Sequence, residues 1–258
     1  MAKSKILKEL ANGEIQIDIA LRRLMLLAND IGDNELCAWA DKELMGYDST
    51  DELPEYRIIW CDRFYYSGIK GNSFNHLKMN DLPLPLDSIF DDDAEVEKYC
   101  NVRVIEPITN IIEKANMPPD TKLNLDFTHL QRKVYNKTHI QCVQIELRLH
   151  TAHMAGIVAK ITQKLIKIFM KLDKEYGNFD DLDIDITNIP QEKIEKTKAE
   201  VQQIYNITIN HQTDLTNAKI KGHKIKDSNI GSGTNTVEKA MTVSPTLQID
   251  DLFGKLKS

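Results

Sequence analysis

Apolar residues recur every three or four positions along the start of the chain, the spacing of helices with one buried side. Ile6, Leu7 and Leu10 form a first short stripe behind Ser4, a residue suited to an N-cap, and Asn12-Gly13 ends it. From Glu14 to Ile31, the residues Ile17, Ala20, Leu21, Leu24, Leu27, Ala28 and Ile31 share one helical face. Ile15, Ile19 and Leu26 widen that face, so this helix is expected at the centre of the core. Gly32 stops it. Asp33 is placed to cap a third helix over Asn34–Met45, with Leu36, Trp39, Ala40, Glu43 and Leu44 inward and Gly46 just past its end.

After Pro54 the period shortens towards two. Residues 56–61 are rich in β-branched and aromatic side chains and predict a strand. Phe64-Tyr65-Tyr66, with Gly68 and Gly71, predicts a second strand and a turn. Leu82–Leu86 contains two prolines, which excludes a central strand. Asp91-Asp92-Asp93 is suited to open a helix, because negative charge is favoured at that end. From Glu97 to Ala115 the apolar residues Val102, Ile105, Ile108, Ile111 and Ile112 predict helix broken near Pro107. Leu123, Leu125 and Phe127 alternate, as do Val143, Ile145, Leu147 and Leu149 against Gln144, Glu146 and Arg148; both read as half-buried strands.

Thr151 to Tyr176 is the longest predicted helix. Met154, Val158, Ile161, Leu165, Ile168 and Leu172 recur at heptad-like spacing, widened by Ile157 and Phe169. The seam suits packing within its own domain or self-association. Lys160, Lys164, Lys167, Lys171 and Lys174 make a second stripe on this helix. It reads as a solvated face relieved by Asp173 and Glu175, or as a docking strip for nucleic acid or another anionic partner.

The pattern adds up to an α+β fold over residues 1–178: N-terminal helices packed with a small, mostly antiparallel sheet and a long closing helix. Residues 179–190 read as an acidic linker. Residues 191–235 begin as helix and pass into a β-like stretch in which Leu215, Ile220, Ile225 and Ile230 stand five apart. Four such units resemble pentapeptide repeats but are too few to bury a stripe alone. The stretch reads as disordered, as a strand on its own domain, or as a β structure shared between copies in a homo-oligomer. Residues 236–258 read as a flexible tail ending in an amphipathic motif from Leu247 to Leu256.

Composition narrows the field. The chain has 258 residues, 41% of them hydrophobic, enough for one sizeable core. A net charge of −6 does not match a dedicated nucleic-acid coat. No run of about 18 apolar residues predicts a membrane span. Cys37, Cys61, Cys100 and Cys142 form no CxxC pair, which points to free thiols in a reducing, cytoplasmic setting.

Chemistry is harder to find. No phosphate-loop, dinucleotide-binding, serine-hydrolase or zinc-protease motif is present, so neither catalytic residues nor a cofactor are predicted. The Asp180–Asp185 run lacks the central Gly and terminal Glu of a twelve-residue calcium loop. Cys142, Glu146, His150 and His153 would share a face and suit zinc only if they lay on a helix, which the alternation from Val143 to Leu149 opposes. The acidic stretches 87–97 and 180–185 leave open a magnesium-dependent nuclease.

Several stretches together carry a resemblance. They are Ile6-Leu7-Lys8-Glu9-Leu10, Ala20 to Ala28, Trp39-Ala40-Asp41-Lys42-Glu43-Leu44-Met45-Gly46-Tyr47 and Glu52-Leu53-Pro54-Glu55-Tyr56-Arg57. Leu82-Pro83-Leu84-Pro85-Leu86 and the strand and helix between His139 and Tyr176 follow in the same order. Over roughly residues 4–178 the chain resembles the AbiTii domain family, bacterial proteins associated with abortive infection, a defence against phage. The resemblance implies a part in phage defence; together with the absent motifs and the period-five stretch it leads to the expectation of a non-catalytic sensor or assembly module, with a phage component or a co-encoded defence protein as partner, and a toxic effector enzyme is the alternative. Trp39, Glu43, Tyr47, Tyr56 and Arg57 carry its most specific part. They read first as packing anchors and a structural ion pair, and any family binding site is to be sought around them.

Overall fold

The helical periodicity of the first 45 residues folds into α1 (Lys5–Asn12), α2 (Ile17–Asp30) and α3 (Asn34–Met45). The computed structural model describes residues 3–71 and 76–206, the side chains of 70, 71 and 76–79 excepted. Gly13 ends α1 at φ 70°, returning its N–H to Glu9 and Leu10. Ala20, Leu21, Leu24, Leu27 and Ala28 of α2 are fully buried, as their spacing requires. Leu26 is not part of that face: it is 54% exposed, one position off the stripe. Asp33 caps α3, accepting from Leu36 N–H at 3.0 Å.

Gly46 leaves α3 at φ 92°, where a Cβ would stand 2.8 Å from the Ile105 carbonyl oxygen. Tyr47 N–H then bonds to that same oxygen at 2.8 Å. The tight approach and the positive φ both demand glycine.

The strand expected over 56–61 is shorter. Pro54 leads into a 3-10 turn, Glu55–Arg57, which swings Arg57 inward, and only Ile58–Trp60 is extended, as β1. It pairs antiparallel with β4 (Asn101–Arg103). That pairing divides the helix expected from Glu97 to Ala115 into α4 (Asp93–Cys100) and α5 (Ile108–Ala115), the latter starting after Pro107.

The main sheet is antiparallel, in the order β3 (His76–Pro83), β2 (Phe64–Gly71), β6 (Gln141–Leu149), β5 (Leu123–Asp126). Pro83 ends an edge strand, as two missing donors dictate. Gly68 stands where both neighbours of β2 slip register. On β6, Ser67 faces Gln144 and Gly68 faces Cys142, so Val143 is the extra residue of a bulge. The alternation breaks there: Val143 is 69% exposed while Cys142, Ile145, Leu147 and Leu149 are buried. The short helix α6 (Gln131–Thr138) precedes β6 and covers it through Val134.

The helix α7 (Thr151–Tyr176) runs through the middle of this assembly, touching α1, α2 and α5. Met154, Ile157, Ile161, Leu165, Ile168, Phe169 and Leu172 are buried, so its heptad-like seam is used within the domain. The segment expected as a linker over 179–190 is packed, not free. Phe179 is buried with its ring 6.0 Å from that of Phe169, Ile184 is buried too, and Ile184 N–H bonds to Asp30 at 3.3 Å. After Pro190, α8 (Gln191–Asn206) lies along α7 and α3. The packed α+β domain therefore passes the expected boundary at residue 178 and includes α8. The period-five positions Leu215, Ile220, Ile225 and Ile230, and the expected tail 236–258, lie outside the described residues.

Candidate functional site

The residues between Trp39 and Arg57 come together in one buried network. Glu43 sits on the inner face of α3 one turn before Tyr47, and the 3-10 turn brings Tyr56 and Arg57 back against it. Tyr47 and Tyr56 each donate a hydroxyl to Glu43 Oε1 at 2.7 Å. Arg57 donates to Glu43 Oε2 through Nη2 at 2.6 Å and Nε at 3.1 Å. Its Nη1 donates to the carbonyls of Val104 and Glu106, at 3.0 and 2.7 Å. The guanidinium carbon also stands 4.8 Å from the centroid of the Tyr47 ring. Trp39 closes the set, its indole N–H donating to the Tyr56 hydroxyl at 3.1 Å.

Neither Glu43 nor Arg57 is exposed at all. A buried carboxylate needs its lone pairs filled, and four donors from three residues fill this one. Burial, and after it the Glu43 charge, hold the Tyr47 and Tyr56 phenols well above their ordinary range, so both are fixed as donors. The set ties α3 to the 3-10 turn and to the strand leading into α5. What it can do chemically is hold geometry.

Lys164, expected as one of a surface stripe, is 7% exposed and joins the same region. Its ammonium lies 5.3 Å from the Tyr56 ring centroid and donates to the carbonyls of Ile204 and Tyr205, at 2.9 and 3.0 Å. Those carbonyls belong to the last turn of α8, where helix oxygens lack partners and a cation is favoured. Burial, then Lys167, lower the Lys164 pKa, while Glu43 opposes them. The other four lysines do not continue one strip. Lys171 pairs with Glu175 at 2.9 Å and with Glu200. Lys160 is half-buried, and Lys167 and Lys174 are exposed. Sequence periodicity missed Lys164 as a buried anchor because it placed all five lysines on one face without α8 lying over it.

The acidic clusters are engaged too. Asp92 caps α4 through Glu95 N–H at 2.8 Å. Asp91 pairs with Lys133 at 2.9 Å and Lys137 at 2.6 Å, and Glu95 with Lys133. Asp180 accepts the Lys5 backbone N–H at 2.5 Å, and Asp185 that of Thr187 at 2.9 Å. Among the described residues no group of three or more His, Cys, Asp or Glu is arranged to hold a metal ion. The conceivable zinc set is dispersed by the β6 bulge, which turns Cys142 inward and leaves Glu146 on the other face.

Burial raises the thiol pKa values, to about 11 at Cys142 and, with Asp62 and Cys61 adding, at Cys100. Such thiols are poor nucleophiles at neutral pH. His150 and His153 meet at the start of α7, where His153 Nδ1 accepts the His150 backbone N–H at 3.1 Å. Burial, then His150 and Arg63, lower the His153 pKa.

An open concavity of about 480 Å³ lies elsewhere, between the α1–α2 connection, α5 and α7. Leu10, Ile15, Ile17, Ile112 and Val158 form its apolar wall, with Glu14 and Asp18 at the edge. It is lined chiefly by apolar groups, and no cluster of titratable side chains converges on it.

A family model described as AbiTii matches residues 4–200. The chain belongs to the AbiTii family. This is an abortive-infection domain, and its place is in defence against phage. No curated relative and no solved structure matches the chain. The AbiTii match takes in the network around Glu43 and runs through most of α8, past the limit near residue 178 that the sequence resemblance reached. No described helix of this AbiTii domain is long and apolar enough to cross a membrane.

Proposed function

We propose that this AbiTii domain serves phage defence in the cytoplasm as a non-catalytic sensor or interaction module that assembles with copies of itself. A phage component or a co-encoded defence protein would be its trigger. The observation that carries the reading is the engagement of the polar groups. Glu43, Asp91, Asp92, Glu95, Asp180 and Asp185 are each committed to a cation, a phenol or a backbone N–H that holds the fold. A metal-dependent nuclease needs carboxylates free to converge on an ion.

The test has two arms on the full chain. Light scattering behind size exclusion is expected to give more than one chain mass. Incubation with magnesium and single- or double-stranded DNA or RNA is expected to leave every substrate intact. Cleavage that disappears with chelator would replace this reading with the effector-enzyme one.

A further inference from the structure

Among the described residues, Asp33 Oδ2 and Tyr205 OH are buried side-chain polar atoms with no hydrogen-bond partner, and both lie where α8 meets the domain. Asp33 is the N-cap of α3, and its charge acts on the Tyr205 phenol near the end of α8. A core interface normally satisfies such groups, and leaving them bare weakens it.

The rest of the α8 contact is narrow. Ile194, Thr197, Val201 and Tyr205, spaced three, four and four apart, are its buried residues. Around this stripe the attachment is polar. Lys171 reaches Glu200, Gln202 reaches Glu35, and Lys193 donates to the Glu175 carbonyl at 2.8 Å. Tyr205 stacks on Trp39 with ring centroids 5.5 Å apart, and Lys164 holds the last carbonyls.

Beneath α8 lies a surface made for a helix: an aromatic seat at Trp39 on α3 and a cation for a helix C-terminus at Lys164 on α7. The segment before α8, Asp185 to Pro190, is held by local hydrogen bonds: Ile189 N–H to Ile186, Thr187 N–H to the Asp185 carboxylate, and the Pro190 carbonyl accepting from Lys193 and Ile194. Leu182 just upstream holds φ 56°, a conformation that L-residues rarely adopt.

We propose that the α3–α7 face is the assembly surface of this protein and that its occupant in the assembled state is α8 of a second copy. The contacts available to α8 within one chain are the same contacts between two, so exchange needs only the 185–190 segment to extend. Any signal that favours the extended segment thereby favours assembly. The proposal deepens the assembly reading given above by naming the surface and the partner.

Lys171 and Glu200 face each other across α7 and α8 without being buried, so cysteine is tolerated at both. Lys171→Cys and Glu200→Cys are made singly in the full chain carrying Cys37→Ser, mixed at equal concentration, incubated and treated with a short bis-maleimide, which spans the distance that two long side chains bridge. The expected result is a cross-linked species of twice the chain mass in the mixture and not in either variant alone. The double variant supplies the control, closing an intramolecular cross-link when α8 is on its own chain. No mixed dimer from single variants, alongside an intramolecular cross-link in the double variant, overturns the exchange. Light scattering on the unmodified chain separates the two failures. A multimer without the mixed cross-link sinks exchange through α8 alone, whereas a monomer sinks the assembly reading with it.

Discussion

Arg57 meets Glu43 through two N–H groups, at 2.6 and 3.1 Å, and neither side chain has any exposed surface. Removing one partner leaves the other charged and buried. Arg57→Ala is therefore expected to destabilise the domain by about 3–5 kcal/mol. Tyr47→Phe, which removes one of several donors to the carboxylate, should cost about 1.5–3 kcal/mol. Urea unfolding followed by circular dichroism measures both. A loss under ~1 kcal/mol for Arg57→Ala would mean that the pair is hydrated.

The domain is also expected to lose an anchor in acid. Asp173, near the end of α7, accepts the Ser4 backbone N–H at 3.0 Å and the Ser4 hydroxyl, and pairs with Lys3 at 3.4 Å. Burial opposes ionisation there, but the Ser4 hydrogen bonds and Lys3 outweigh it and hold the carboxyl below the ordinary aspartate range. A depressed folded-state pKa contributes stability above the unfolded value, and that contribution disappears as pH falls through the folded one. Unfolding free energy should therefore decline below about pH 4, and Asp173→Asn should flatten that part of the curve. An identical slope in the variant would remove Asp173 from the account.

Gly46 is expected to admit no side chain. Gly46→Ala puts a methyl group 2.8 Å from the Ile105 oxygen at a φ of 92°. A cost of at least about 1–3 kcal/mol follows from the backbone conformation alone. Thermal unfolding reads it, and an unchanged midpoint would show that the α3 exit relaxes freely.

The two tryptophans are expected to report different environments. Trp39 is 7% exposed and Trp60 53%. With Trp60→Phe, emission should be blue-shifted and poorly quenched by acrylamide. With Trp39→Phe it should be red-shifted and readily quenched. Adding Tyr205→Ala to the Trp60→Phe background strips the ring stacked on Trp39 and should move its emission towards the red. No change would mean that α8 does not shield the indole.

Much of this molecule is determined by local sequence. The stripe of Ala20, Leu21, Leu24, Leu27 and Ala28 has a helical period whatever lies opposite, and Asp33 and Gly46 punctuate α3 through backbone chemistry that needs no partner. The same holds for α7 and for the alternation of Ile145, Leu147 and Leu149 along β6. The grouping of Trp39, Glu43, Tyr47, Tyr56 and Arg57 was legible because these residues carry the most specific part of the family resemblance.

Tertiary structure decided the rest, because burial depends on which elements meet. The 101–103 stretch became β4 only because β1 offered it a ladder. Val143 faces solvent because Gly68 sits at a bulge, a matter of pairing register that a period of two along one strand cannot encode. Lys164 is an anchor and not part of a surface strip because α8, some forty residues further on, lays its unsatisfied carbonyls across it. The acidic clusters are caps and ion pairs for the same reason: a carboxylate's role is set by the donors that folding brings within 3 Å, and the sequence records only the carboxylate.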